Sequence, residues 1–184
     1  MSIYDTPKGF VKLFSLSKGG ILYQLVETPN LVVYSGADVV ARCLAWQQLY
    51  VPRVIYFEFE NTAGAPTPPT IDRSDDDLAY YTALSSPKDY IRVPIGINPA
   101  LDTTDVSKYE NNRITYYAMT DATQGEHSVP FSAGSNSKVY GAALLAAPDL
   151  NDPTKDIIMS RTYFGTAVAK SDSQVGIQWQ VICK

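Results

Sequence analysis

The feature that most constrains this fold is an alternation near the C-terminal end, where Val175, Ile177, Trp179, Val181 and Cys183 take every second position. Gly176, Gln178 and Gln180 fall between them. Successive side chains of a strand point to opposite faces, so the pattern predicts a half-buried antiparallel strand with Trp179 on its core face. Two apolar runs precede it, VYGAALLAA (Val139 to Ala147) and IIMSRTYF (Ile157 to Phe164), each followed by a turn. Three strands in succession close a β-sheet core, and almost nothing between them carries catalytic equipment.

The rest of the chain extends the same pattern. FVKLFSL (Phe10 to Leu16) and ILYQLVE (Ile21 to Glu27) are joined by Ser17-Lys18-Gly19-Gly20, a hairpin-length connection with glycines for positive φ. Pro29 and Asn30 are expected to interrupt before LVVY (Leu31 to Tyr34) leads into a helix. RVIYFEFE (Arg53 to Glu60) places Ile55, Phe57 and Phe59 on one face and Val54, Tyr56 and Glu58 on the other. AYYTAL follows, then YIRVPI, whose Pro94 marks an edge or a strand end, and then RITYYAMT (Arg113 to Thr120). Segments 61–77, 98–112 and 121–137 are rich in turn-forming residues and read as long loops.

One helix stands out, from about Gly36 to Gln47. Ser35 is expected to cap it and Asp38 sits three residues on, resembling a capping box. Ala37, Val40 and Leu44, flanked by Cys43, form an apolar stripe at helical spacing, expected to pack on the sheet, and Pro52 bounds the segment. The expected architecture is a single mainly-β domain over residues 1–184, jelly-roll or sandwich-like and antiparallel, with one packed α-helix.

Composition narrows the function classes. With 45% hydrophobic and 18% charged residues, the chain can bury a sizeable core. A net charge of −4 without a basic run gives no footprint for nucleic acid or for an anionic membrane surface. The first residues lack the pattern of a secretory signal, and no apolar stretch approaches the ~20 residues of a spanning helix. Synthesis in a cytoplasm is the expectation. The two cysteines, Cys43 and Cys183, are read as reduced thiols in apolar positions, although a bridge stays open.

Catalytic chemistry finds little purchase. His127 is the single histidine and lies in a loop beside Glu126 and Ser128, with no nucleophile elbow in the chain. No zinc site can be assembled without carboxylates. Two acidic turns, Asp72 with Asp75, Asp76 and Asp77, and Asp149 with Asn151, Asp152 and Asp156, lack calcium-loop spacing. No phosphate-binding glycine motif occurs. Glu58 and Glu60 share one strand face beside Tyr56 and could form a sugar site, but a solvated strand face explains them more simply. No catalytic residue, cofactor or metal is assigned, and the chain is read as non-enzymatic.

Tyrosine is the abundant aromatic, with thirteen in the chain. In a pair such as Tyr116-Tyr117 one ring faces each side of the strand, so part of the set is expected to serve contacts with other proteins. Tyr56, Tyr80, Tyr81, Tyr90, Tyr116 and Tyr117, with Gln178 and Gln180 on the outward face of the last strand, form the candidate interface.

The run NLVVYSGADVVARCLA (Asn30 to Ala45) resembles an element of small virion proteins of tailed bacteriophages, in which a strand passes through a small-residue cap into one amphipathic helix. The segment holding Pro66, Pro68, Pro69 and Asp72 is similar to a Pro/Asp-rich segment of such proteins. Tyr140-Gly-Ala-Ala-Leu, Ser160-Arg161-Thr-Tyr-Phe, Lys170 and Gly176-Ile-Gln-Trp179 look similar too. The resemblance carries over no catalytic residue. It implies an accessory structural subunit located in the virion, decorating a capsid, forming a neck or collar, or adapting the tail. Its partners would be other virion proteins and copies of itself, and its last strand could extend a neighbour's sheet edge. The rival expectation is a carbohydrate-binding, lectin-like β-sandwich.

Overall fold

The computed structural model describes residues 8–17, 19–47, 49–59, 90–96, 107–110, 112–121, 127, 137–169 and 174–182. Its elements in chain order are β1 (Lys8–Leu16), β2 (Leu22–Val32), α1 (Tyr34–Leu44), β3 (Pro52–Phe59), β4 (Tyr90–Pro94) and β5 (Ser107–Glu110). They continue with β6 (Arg113–Met119), β7 (Ser137–Ala146), a 3-10 turn (Pro153–Lys155), β8 (Ile157–Ala169) and β9 (Gln174–Ile182). The mainly antiparallel β class with one helix is therefore the observed class.

All nine strands belong to one sheet, in the order β4-β3-β7-β8-β2-β1-β9-β6-β5, and every pairing is antiparallel. The sheet curls until its ends approach. Just past β4, the Ile95 N–H donates to the Arg53 carbonyl (2.8 Å) and the Gly96 N–H donates to the Tyr117 carbonyl of β6 (3.1 Å). The sandwich-like core thus comes from one sheet folded round on itself. Its inner face merges Val11 and Leu13 of β1, Ile55 and Phe57 of β3, Leu144 of β7, and Val175, Ile177 and Trp179 of β9 into a single cluster.

The alternation of β9 translates directly into this interior. Val175, Ile177 and Trp179 are fully buried, and Val181 packs against them. Trp179 lies opposite Val11 on β1 and opposite Tyr116 on β6. Because β9 is laddered on both sides, it has no free edge, and the expected pairing of the last strand with a neighbour's sheet is unavailable. Cys183 lies outside the described residues.

Three local expectations are corrected. Pro29 and Asn30 do not interrupt: β2 runs straight through them, pairing Pro29 with Phe10 and Asn30 with Gly9 on β1. Proline is tolerated there because β2 joins β8 only from Leu31 onward, so the missing N–H breaks no ladder on that side. Segment 98–112 holds the short strand β5, paired with β6, whose SKYE sequence has no apolar alternation to announce it. The helix spans Tyr34–Leu44, shifted towards the N-terminus from the expected Gly36–Gln47.

The outer face of the sheet is also covered where α1 crosses it. Val33, Val54, Tyr56, Ala143, Leu145, Ala147 and Ile158 form a second buried cluster. At the start of α1, a Cβ on Gly36 would lie 2.1 Å from the Met159 carbonyl oxygen of β8, so only glycine lets the helix seat this closely. The Val33 N–H donates to the same carbonyl at 3.1 Å.

Candidate functional site

Two features outside the barrel interior concentrate polar or exposed apolar groups: a buried polar cluster on the outer face of β3, β4 and β8, and the outward face of α1 with the turn that follows it.

In the polar cluster, β3 presents Tyr56 and Glu58 outward, as the alternation of RVIYFEFE requires. Neither is open to solvent, at 2% and 0% exposure. The Tyr56 hydroxyl donates to Asp156 Oδ2 (2.8 Å), and Arg92 grips the same carboxylate through Nε (2.6 Å) and Nη2 (3.0 Å). Arg92 Nη1 also donates to the Leu150 carbonyl (2.8 Å), which ties the segment between β7 and β8 to β4. Burial, reinforced by the Asp156 charge, pushes the Tyr56 phenol far above its ordinary pKa. Hydrogen bonding to Asp156 holds Arg92 above its own. Next to this group, Arg161 Nη2 pairs with Glu58 Oε1 (3.1 Å) and donates to the Tyr163 hydroxyl (3.1 Å), while Tyr56 stacks on Tyr90 and Tyr140 on Tyr163. A Cβ on Gly141 would come within 2.8 Å of Glu58 Oε2, so glycine makes room for the carboxylate.

This cluster is structural glue. Its charges are buried and compensated, and fork-to-carboxylate geometry such as that of Arg92 on Asp156 is the strong form of ion pairing. Glu58 belongs to Arg161 and offers no open carboxylate to a sugar; Glu60 lies outside the described residues.

Most of the other expected sites resolve similarly. Asp149 accepts from the Asn151 N–H (3.0 Å) and Asp152 from the Thr154 N–H (3.2 Å), while Lys155 Nζ sits 3.0 Å from Asp152 and 3.5 Å from Asp149. The Thr154 hydroxyl, which also donates to Asp152 Oδ1 (2.5 Å), and then Lys155 hold Asp152 below the usual carboxylate range. Among the described residues no group of three or more histidine, cysteine or acidic side chains could hold a metal ion. The His127 N–H donates to Asp121 Oδ2 (2.9 Å), and the Asp121 N–H donates to the His127 carbonyl (3.1 Å), so this pair closes a loop. Asp72, Asp75, Asp76, Asp77, Glu126 and Ser128 lie outside the described residues.

The tyrosine interface needs the same revision. Tyr56 and Tyr117 are buried within the subunit itself, so neither ring is offered to a partner. Tyr116 packs partly against the inner core, Tyr90 against the outer cluster, and Gln178 and Gln180 are half-buried on β9. Tyr80 and Tyr81 lie outside the described residues. The strand reasoning failed here because it assumed one wet face; this sheet is covered on both sides near β3.

Among the described residues, α1 and the turn after it hold six of the exposed large apolar side chains, the others being Phe10, Ile21, Tyr23 and Leu150. The buried residues of α1 are Gly36 and Val39, not the apolar stripe singled out from spacing: Val40 is 45% exposed and Leu44 78%. The helix is seated by its other face, and Ser35 does not cap it. The Ser35 hydroxyl instead donates to the Ile158 carbonyl of β8, and Val33 takes the N-cap position without a side-chain bond. The outward positions Tyr34, Ala37, Val40, Ala41, Leu44 and Ala45 are all apolar. The polar exceptions on this surface are Asp38 and Arg42, which neutralise one another at 2.6 Å.

The chain leaves α1 through a Schellman motif. The Gln47 N–H donates to the Arg42 carbonyl (3.0 Å) and the Trp46 N–H to the Cys43 carbonyl (3.1 Å), which is the 6→1 and 5→2 pattern. The left-handed position, normally glycine, is occupied by Trp46 at φ 63°. Trp46 is also the most exposed of the large apolar side chains, at 85%. A bulky side chain in a left-handed conformation is unfavourable by about 1–2 kcal/mol, and strained positions of this kind cluster where surfaces act. The return to β3 adds Leu49 and Val51 to the exposed set. It is pinned by the Cys43 thiol, which donates to the Tyr50 carbonyl (2.6 Å), and by the Arg42 guanidinium 4.8 Å above the Tyr50 ring. Partial desolvation raises the Cys43 thiol, keeping it a donor.

No family model, no curated protein and no solved structure matches this chain. No helix among the described residues is long and apolar enough to cross a membrane.

Proposed function

We propose that this chain is a non-enzymatic structural subunit of a tailed-phage particle that binds other virion proteins and copies of itself through the outer face of α1 and the Trp46 turn. The observation that carries the reading is the set of exposed large apolar side chains on α1 and the turn after it, Tyr34, Val40, Leu44, Trp46, Leu49 and Val51, with the strained Trp46 among them. Soluble monomers rarely present apolar patches of more than a few hundred Å², and larger ones mark contact surfaces. The same helix forms most of the segment that resembles virion proteins, Asn30 to Ala45. Two further features support a scaffold role: a core sealed inside a curled sheet, and ion pairs used to fix elements in place. A sealed core that carries an exposed apolar face is the physical description of an assembly part. The lectin-like alternative would have to work without the Tyr56 and Tyr117 rings, which are buried within the subunit.

The test is sedimentation of intact particles carrying the wild-type chain or the Leu44→Glu variant. The wild-type subunit is expected in the particle fraction at a fixed copy number, and Leu44→Glu is expected to remain in the supernatant while folded. Absence of the wild-type chain from particles would overturn the reading.

A further inference from the structure

We infer that the partner seated on α1 is a second copy of this chain, joined by antiparallel pairing of two α1 helices about a two-fold axis near Val40 and Ala41; the inference rests on the contact role proposed for this face. Three observations select a copy of the chain over an unrelated protein.

The first is area. An exposed aromatic ring presents ~150–250 Å². Tyr34 and Trp46, exposed 60% and 85%, together with Val40, Leu44, Leu49 and Val51, therefore approach the roughly 800 Å² per partner of a standard interface.

The second is charge. The chain carries a net −4, which opposes contact between copies over most of the surface. The α1 face is exempt, because its Asp38 and Arg42 cancel locally. Those residues also lie on one flank of the outward stripe, and in an antiparallel helix pair identical flanks meet. With the axis near residue 40, Asp38 of each copy falls opposite Arg42 of the other. The two internal i,i+4 pairs then become a four-charge network in which every contact is attractive.

The third is fit. Ala37, Ala41 and Ala45 recur every four residues on the exposed face, so two helix backbones can approach closely, with Leu44 and Val40 of each copy filling the space beside them. An isologous contact of this kind closes at two copies, the commonest symmetry of identical subunits.

Sedimentation velocity on the wild-type chain, at concentrations up to roughly 1 mM, reads the outcome directly. A monomer–dimer equilibrium is expected. Leu44→Glu should weaken dimerisation by at least ~30-fold, the effect of losing one hot-spot residue. Arg42→Asp should also weaken it, through like charges across the axis, and the double variant Asp38→Arg with Arg42→Asp should restore it. Mixed with wild type, the double variant should form only homodimers, since each mixed pair juxtaposes like charges. A wild-type chain that stays monomeric throughout, or a dimer indifferent to both Leu44→Glu and the charge exchange, overturns the two-fold pairing. The particle experiment is read separately: a monomeric chain that still enters particles through Leu44 would retain the contact role of α1 and reject only the second copy as occupant.

Discussion

Strand β9 and helix α1 carry the two clearest apolar patterns in the chain, and they end in opposite environments. Val175, Ile177 and Trp179 of β9 are fully buried, whereas Val40 and Leu44 of α1 stand in solvent. The difference lies in what surrounds each element. β9 is held by ladders on both sides inside a sheet that curls on itself, so one of its faces has nowhere to go but the core. Among the described residues α1 packs on β8, with Gly36 and Val39 as its buried positions. Its remaining apolar side chains, Val40 and Leu44 among them, are left exposed, which is the basis of the contact role proposed for this face.

The comparison can be broken by energetics. The largest effect is expected at Trp179→Ala, a loss of about 3–5 kcal/mol in urea unfolding from truncating a fully buried aromatic. A small loss there would mean that β9 does not line the core.

Next comes the buried pair beneath the outer face. Glu58→Gln removes the charge of the buried Glu58–Arg161 pair and should lower stability by about 3 kcal/mol. Glu58→Leu combined with Arg161→Met should recover most of that. If the single substitution were silent, the outer face of β3 would be wetter than the structure shows.

At α1 the sign reverses. Trp46→Gly relieves the left-handed strain and should raise the stability of the isolated subunit by about 1 kcal/mol while weakening assembly. A substitution that stabilises the part and impairs the whole would sharpen the contrast with Trp179.

Tyr56 provides a smaller effect, readable through pH. Its folded pKa is raised by burial and by Asp156, so the Tyr56 phenol is neutral in both the folded and the unfolded chain below about pH 10 and its contribution is constant there. Above about pH 10 the unfolded chain gives up the proton more readily, and stability falls as pH rises. Tyr56→Phe removes one neutral-pH hydrogen bond, worth about 1 kcal/mol, and should flatten the alkaline slope. An unchanged slope would mean that Tyr56 ionises freely in the folded protein.

The smallest effect is expected at Leu44→Ala, within about 0.5 kcal/mol in the isolated subunit, because its side chain touches little.

The sequence spoke plainly about strands and ambiguously about surfaces. Alternation in VGIQWQVI and RVIYFEFE maps onto buried faces because a strand has two faces and the pattern names one. It could not say that the second face of β3 is also covered, since that depends on Arg92, Asp156 and Arg161 arriving from 36, 100 and 103 residues away. Helical spacing likewise named a stripe in α1 but not its direction. The deciding cue, Gly36 as the close-approach point on Met159, is visible only once β8 is in place. The helix end was hidden for a related reason: a Schellman motif built on Trp46 lacks the glycine that usually announces it. A helix with two charges among eleven residues was the available signal of an excess apolar face.

The most direct test of the central claim is hydroxyl-radical footprinting of the wild-type chain, free at low concentration and within the assembled particle. It reads the two tryptophans, Trp46 and Trp179, in one experiment. The account predicts heavy oxidation of Trp46 in the free subunit, strong protection of Trp46 on assembly, and an unmodified Trp179 in both states. Equal oxidation of Trp46 in the free and assembled forms would contradict it.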